Sequence, residues 1–228
     1  MRRYWWEILS IVLLLYNFIG GLLVKLPEGV AFEDSNMYES MRNFFFHVPM
    51  WFSQCTLLTI SLVYSIRYLR NQHLQNDFNA DEFARTGTLM GCLGLLTGMI
   101  WAKYTWGAWW SNDPKQTGAA IAVLIYFAYF VLRNSMTDID KRGRVAAVYN
   151  IFAYFLYIPL IFVLPRMVES LHPGGKGDEG NPGLSGASLD STMRAIFWPG
   201  VIGWTLLGVW ISTLRFRVRT LEEKKQIA

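Results

Sequence analysis

The chain has 228 residues, of which 53% are hydrophobic and 16% aromatic, while only 17% are charged. Soluble domains carry about 25% charged residues, so the composition disfavours a soluble domain and points to an integral membrane protein. The formal charge of +4 comes from short basic clusters beside apolar runs, which is no nucleic-acid footprint but fits the basic flanks of membrane helices.

A membrane-crossing helix needs about 20 mainly apolar residues. Six stretches meet that length: Trp5 to Val24, Asn43 to Ile66, Phe83 to Trp101, Gln116 to Leu132, Val145 to Leu164 and Thr192 to Leu214. Arg2 and Arg3 precede the first run as in a signal peptide, yet no small-residue cleavage site follows, so the run is expected to stay as an anchor. Pro159 and Pro165 are expected to kink or end the fifth helix. No linker or composition shift divides the chain. The predicted fold class is therefore an all-α integral membrane protein, one six-helix domain over residues 1–228.

Lysine and arginine set the orientation. Arg2, Arg3, Arg67, Arg70, Arg85, Arg133, Lys141, Arg142, Arg144, Arg215, Arg217, Arg219, Lys224 and Lys225 fall on one side, twice as many as on the other. The positive-inside rule then makes both termini cytoplasmic. The expected setting is a bacterial inner membrane, with the loops after the first, third and fifth helices facing the periplasm. The basic tail from Arg215 to Lys225 is expected to face anionic lipid, with a cytoplasmic partner as the second reading.

Cys55 and Cys92 lie in apolar runs without a C-x-x-C or C-x-x-C-H pattern, which removes a disulfide scaffold, a thiol redox motif and a covalent haem attachment site. The densest chemistry is the loop at about 102–117, which holds Trp106, Gly107, Trp109, Trp110 and Asp113. Indoles gather at membrane–water interfaces because an apolar ring carries one polar N–H. A plain interfacial belt would scatter them over all helix ends, whereas a flat apolar ligand calls for a crowded platform. Asp113-Pro114-Lys115-Gln116 reads as a helix start, with Asp as N-cap, Pro at the first position and Gln at the third.

The topology sorts the histidines. His47, at the start of the second helix, and His172, in the loop after the fifth, open on the same side as the tryptophans. His73 falls on the other side and reads as a solvated loop residue. Taken singly, His47 could be satisfied by a backbone carbonyl and His172 by water. As a pair beside aromatic walls they fit bis-histidine axial ligation of a porphyrin. Zinc would need a third or fourth ligand, for which Asp113 or Glu169 could serve, but would leave the tryptophans unused. Arg42, Lys103, Lys115 and Arg194 lie on the correct side to meet haem propionates; the competing reading for each is interfacial snorkelling.

Trp106-Gly107-x-Trp109-Trp110-x-x-Asp113-x-Lys115-x-Thr117, with flanking histidines in the neighbouring outer loops, resembles the tryptophan-rich WWD signature of the haem-handling proteins of cytochrome c maturation. The length and six-helix plan are similar to the CcmC family rather than the larger CcmF or CcsA-type proteins. Arg42, ahead of His47, and Met193-Arg194, at the start of the last helix, belong to the resemblance. Asn112 stands where many members have a further Trp, and Lys115 where Arg is common.

The resemblance implies a protein that binds haem b non-covalently and transiently at the outer membrane face and presents it to the haem chaperone CcmE. It implies His47 and His172 as axial ligands and the three loop tryptophans as the platform. It also implies work beside the CcmA/CcmB ATPase and CcmD. No G-x-x-x-x-G-K-[ST] occurs, so any ATP is used by a partner. No acid, base or nucleophile stands out, and no catalytic turnover by this chain alone is expected. Two rivals remain at this level. One is a bis-histidine haem electron-transfer protein. The other is a secondary transporter for a flat organic solute, which would want polar groups near mid-helix, where Gln54 and Asn150 are the nearest. The Gly- and Pro-rich loop within Arg166 to Asp190 could dock a chaperone or close over haem, or be a solvated connector.

Overall fold

A computed structural model describes residues 4–25, 39–172, 176, 189 and 191–227. Most of the loops from Lys25 to Met41 and from Arg166 to Asp190, like Arg2 and Arg3, lie outside these residues. Among the described residues every regular element is helical. We label the helices α1 (Trp5–Leu23), α2 (Phe44–Asn71), α3 (Leu74–Trp106), α4 (Pro114–Asn134), α5 (Ile139–Ile158) and α6 (Ser191–Ile227). A 3₁₀ turn, Met41–Asn43, leads into α2, and α5 runs on through Pro159–Val163 and Leu164–Met167. All six are long and apolar enough to cross a membrane.

α1 shows which solvent the bundle is built for. Its buried residues are Glu7, Ser10, Asn17 and Gly21, while Ile8, Val12, Leu15, Ile19 and Leu22 face outward. That is the inverse of a helix on a water-soluble protein. Inside, polar groups pair across helices, as an apolar surround requires. Ser10 donates to the Gly203 carbonyl (3.1 Å) and Asn17 to that of Ile196 (3.3 Å), both on α6. Asn150 of α5 donates to Ser61 and Ser65 of α2 at 2.7 and 2.8 Å, so one of the two mid-helix polar residues is spent on structure.

α2 and α3 pack antiparallel through a glycine stripe. Gly87, Gly91, Gly94 and Gly98 recur at helical spacing and face Leu58, Gln54, Trp51 and His47 in turn. Small residues let two backbones approach closely where lipid gives no hydrophobic drive. At Gly98 a Cβ would lie 2.8 Å from the His47 ring, and at Gly94 2.8 Å from the Trp51 indole. The stripe therefore seats both rings.

Helix ends differ from the sequence expectation, and the cause is internal charge pairing. α3 starts at Leu74 rather than Phe83, only two residues after α2 ends. The acidic stretch ahead of the expected span is helical and buried: Asp77 and Asp81 are each about 2% exposed. Arg133 at the end of α4 forms a two-pronged pair with Asp77 and a second contact with Asp81 at 3.2 Å. α6 likewise continues past Leu214. Its Arg215 reaches Glu82 at 2.6 Å and its Arg219 reaches Asp81 at 2.7 Å. This part of the basic tail thus pairs with α3 instead of simply facing lipid. His73 is exposed at the α2–α3 turn, as expected of a solvated residue.

Pro159 neither ends nor breaks the fifth helix. The chain opens into a wider π-helical stretch over Pro159–Val163, which absorbs the missing N–H and the ring. The Leu160 carbonyl comes so close to α4 that only a glycine fits at Gly118. Helix then persists to Met167 and delivers the chain to Ser170 and His172.

Candidate functional site

His47 sits on the first turn of α2 against α3. Its Nδ1 meets Thr97 Oγ1 at 3.1 Å, and the Trp51 indole N–H donates to its Nε2 at 3.3 Å. An indole N–H can only donate, so Nε2 is the bare nitrogen and Nδ1 carries the proton. Thr97 closes the chain: it accepts from Nδ1 and its hydroxyl donates to the Leu93 carbonyl at 2.8 Å. A hydrogen bond at one ring nitrogen fixes the tautomer and leaves the other as a potential ligand. In His47 that other nitrogen is Nε2.

His172 is set the same way by different means. Its Nδ1 lies 2.8 Å from Asp113 Oδ1. Asp113 is 3% exposed and serves as a hub. Oδ1 also accepts from the Lys115 N–H at 2.9 Å, which makes Asp113 the N-cap of α4 with Pro114 in the first helical position. Oδ2 accepts from the Ser170 hydroxyl at 2.9 Å and the Leu171 N–H at 2.6 Å. Burial would raise this carboxyl, but the bond to His172, its charge, and the Ser170 and Leu171 donors outweigh it. Asp113 is held well below the usual carboxylate range, so it accepts from the His172 Nδ1–H. The Nε2 of His172 has no protein partner among the described residues.

One helix carries both supports. Thr97, under His47, and Trp101, whose ring centroid is 5.7 Å from that of His172, are four residues apart on α3 and so share a face. Trp106 stands edge-on to His172 at 4.6 Å and to Trp101 at 5.1 Å. Among the described residues no group of three or more His, Cys, Asp or Glu is disposed to hold a metal ion, which leaves a zinc site without its further ligands.

The tryptophans of the loop divide. Trp106 packs on His172, whereas Trp109 and Trp110 are 53% and 38% exposed. Gly107 ends α3 with φ +79°, and Asn112 also has a positive φ, +56°, a conformation that Gly and Asn tolerate best. The Asn112 amide oxygen accepts the Trp110 N–H at 2.8 Å. Asn112 thereby fixes Trp110. Gln116 does not complete a capping box at Asp113; it accepts instead from the Ser111 N–H and hydroxyl at 3.1 and 2.9 Å.

The four cations are not equivalent. Arg42 donates to Glu39 at 2.6 Å and to the Val24 carbonyl at 2.7 Å, which ties the end of α1 to the start of α2. Lys103 donates to the Gly107 carbonyl at 2.9 Å and closes the end of α3. Lys115 lends its backbone N–H to Asp113. Arg194 is exposed on the first turn of α6.

Sequence reasoning missed Thr97, Trp51, Trp101 and Ser170. A signal for the first was present: Thr97 lies inside the run of spaced glycines from Gly91 to Gly98, the mark of a close helix contact. Asp113 was expected as the cap of α4 and as part of the tryptophan loop; its bond to His172 was not visible.

The sequence pattern of the CcmC family, described as heme exporter protein C, matches residues 2–228. Curated relatives carry the same description. The chain is 24% identical to that of Paracoccus denitrificans over 196 residues, covering 86% of this chain and 79% of the relative. It is 27% identical to that of Rhodobacter capsulatus over 199 residues, 80% of this chain and 76% of the relative. Against that of Escherichia coli K12 the figures are 24% over 220 residues, 93% and 81%.

Proposed function

The chain belongs to the CcmC family, heme exporter protein C, and from that premise we propose that it holds haem b as cargo between His47 and His172 and presents it to the chaperone CcmE. It is a multi-pass membrane protein with six spanning helices of a family that handles haem in cytochrome c maturation. In our reading those helices form one domain in the inner membrane, with the histidine end facing the periplasm. CcmA, CcmB and CcmD are its partners, and ATP is spent by the ATPase subunits.

One observation carries the ligand assignment. Two imidazoles, each with Nδ1–H tied to a fixed acceptor (Thr97 and Asp113), offer Nε2 over one face of α3. Neutral imidazole with an anchored Nδ1–H is the form that binds iron. Trp106 and Trp101 wall the His172 side, and exposed Trp109 and Trp110 supply the flat surface. An arrangement at the loop rim leaves a porphyrin edge reachable for hand-over. Arg194 is the cation best free to meet a propionate. Arg42, Lys103 and Lys115 act first through the backbone and Glu39, and reach a propionate only by exchanging those contacts. The chain contributes binding and orientation, with no bond-making step of its own.

The test is the absorption spectrum of the detergent-purified chain with haem, beside His47→Ala and His172→Ala. Low-spin haem in the parent, lost or turned high-spin in each variant, is expected. A chain that stays colourless with haem added, and variants that match it, would overturn the assignment.

A further inference from the structure

At the end of the bundle opposite the histidines, α3, α4, α5 and α6 line an open cleft of about 440 Å³. Five arginines line it, Arg85, Arg133, Arg142, Arg215 and Arg219, against the carboxylates Asp81, Glu82 and Glu222. Positive charge remains in excess even when Asp77, behind Arg133, is counted. The acids are heavily shared. Asp81 alone meets Arg85 at 3.2 Å, Arg133 at 3.2 Å and Arg219 at 2.7 Å. Arg215 is paired with Glu82 yet about half exposed, with donors left to face the cleft.

Arg142 is the residue without an internal task. Its Nε is buried with no hydrogen-bond partner, and its guanidinium makes no ion pair among the described residues. A buried guanidinium donor left unpaired costs free energy, so an acceptor from outside the chain would stabilise Arg142. Leu214 and Val218, both largely exposed, form an apolar lip that continues onto the outward surface of α6. Neither a histidine nor an aromatic ring lines the cleft, which leaves a porphyrin without ligand or wall.

We propose that this cleft binds a phosphate group, with arginine side chains around its oxygens and Arg142 donating to one of them. Guanidinium forks match phosphate oxygens in number and direction, and basic pockets between membrane helices take phospholipid headgroups. The apolar lip fits the acyl side of such a lipid; free phosphate shares the same chemistry.

Native mass spectrometry of the detergent-purified full chain, offered phosphatidylglycerol and phosphatidylcholine in equal amounts, separates the cases, with ³¹P line broadening of inorganic phosphate as the second arm. Retained phosphatidylglycerol is expected, falling about fivefold in Arg142→Gln and largely recovered in Arg142→Lys. The haem spectrum should not change in either variant, which reports an intact fold. If only inorganic phosphate binds and Arg142→Gln loses it, the site is one for free phosphate. If both lipids and inorganic phosphate bind parent and Arg142→Gln alike, the proposal is overturned.

Discussion

The Trp51 indole N–H donates to Nε2 of His47 at 3.3 Å, the same nitrogen that a metal would need. His47 Nε2 is thus capped by the chain's own tryptophan, and a ligand at His47 must displace that bond. A net hydrogen bond is worth about 0.5–1.5 kcal/mol. Trp51→Phe keeps a ring on Gly94 but removes the donor, so haem affinity is expected to rise about two- to tenfold. Unchanged or weaker binding in a titration would show that the cap does not compete.

Asp113 fixes His172 and the start of α4 together. Groups that orient a metal-binding histidine typically matter about 10–100-fold in affinity. Asp113→Asn keeps the size but loses the charge, and haem affinity is expected to fall by that order. Thr97→Val should do the same at His47. Asn caps a helix about as well as Asp, so helix content by circular dichroism should hold in both variants while a haem titration shows the loss.

The pH response follows from the sign of the Asp113 shift. Its folded-state pKa lies below the unfolded carboxylate value, about 3.9. The clamp's contribution is then complete above that value and is lost only as pH falls through the folded pKa. Protection of the Leu171 amide, which donates to Asp113, should stay level from about pH 8 to 5. Hydrogen exchange, corrected for intrinsic rate, that loses this protection between pH 8 and 5 would contradict the assignment.

Gly98→Ala places a Cβ 2.8 Å from the His47 ring, and Gly87→Ala places one 2.9 Å from Leu58. Overpacking of this kind costs about 1–3 kcal/mol. Both variants should melt earlier, but only Gly98→Ala should shift the haem spectrum. Equal spectra would mean that the stripe does not seat the ligand histidine.

Arg133 and Asp77 are each about 2% exposed. Removing one partner of a buried pair leaves an uncompensated charge and costs about 3–5 kcal/mol. Arg133→Ala is therefore expected to lower thermal stability in detergent far more than Arg217→Ala, whose exposed side chain should show almost no effect.

The six helices were legible because an apolar run of bilayer length has few other uses. Several of their ends were, such as both ends of α1 and the start of α6, but the start of α3 and the end of α6 were not. Asp77, Asp81 and Glu82 fell outside the expected span, since a hydropathy pattern cannot see that Arg133, Arg215 and Arg219 will neutralise them from elsewhere in the chain. The two histidines and the tryptophan loop stood out by type and side. Their supports did not, because Asp113 and His172 are 59 residues apart and His47 and Thr97 are 50. The N-cap at Asp113 was local and came through; the partner of Gln116 was misjudged because Ser111 competes for the same oxygen. Asn112, where the resemblance led us to expect a further Trp, proved to be the acceptor that holds Trp110.

The pairing of α1 with α6 has a consequence for synthesis. Ser10 and Asn17 find their acceptors 193 and 179 residues later. At about 5–20 residues per second, the first helix waits roughly 10–40 s before the last one leaves the ribosome. During that interval its polar stripe faces lipid or the insertion machinery, so the nascent chain is most exposed to mispairing and quality control before its final helix arrives.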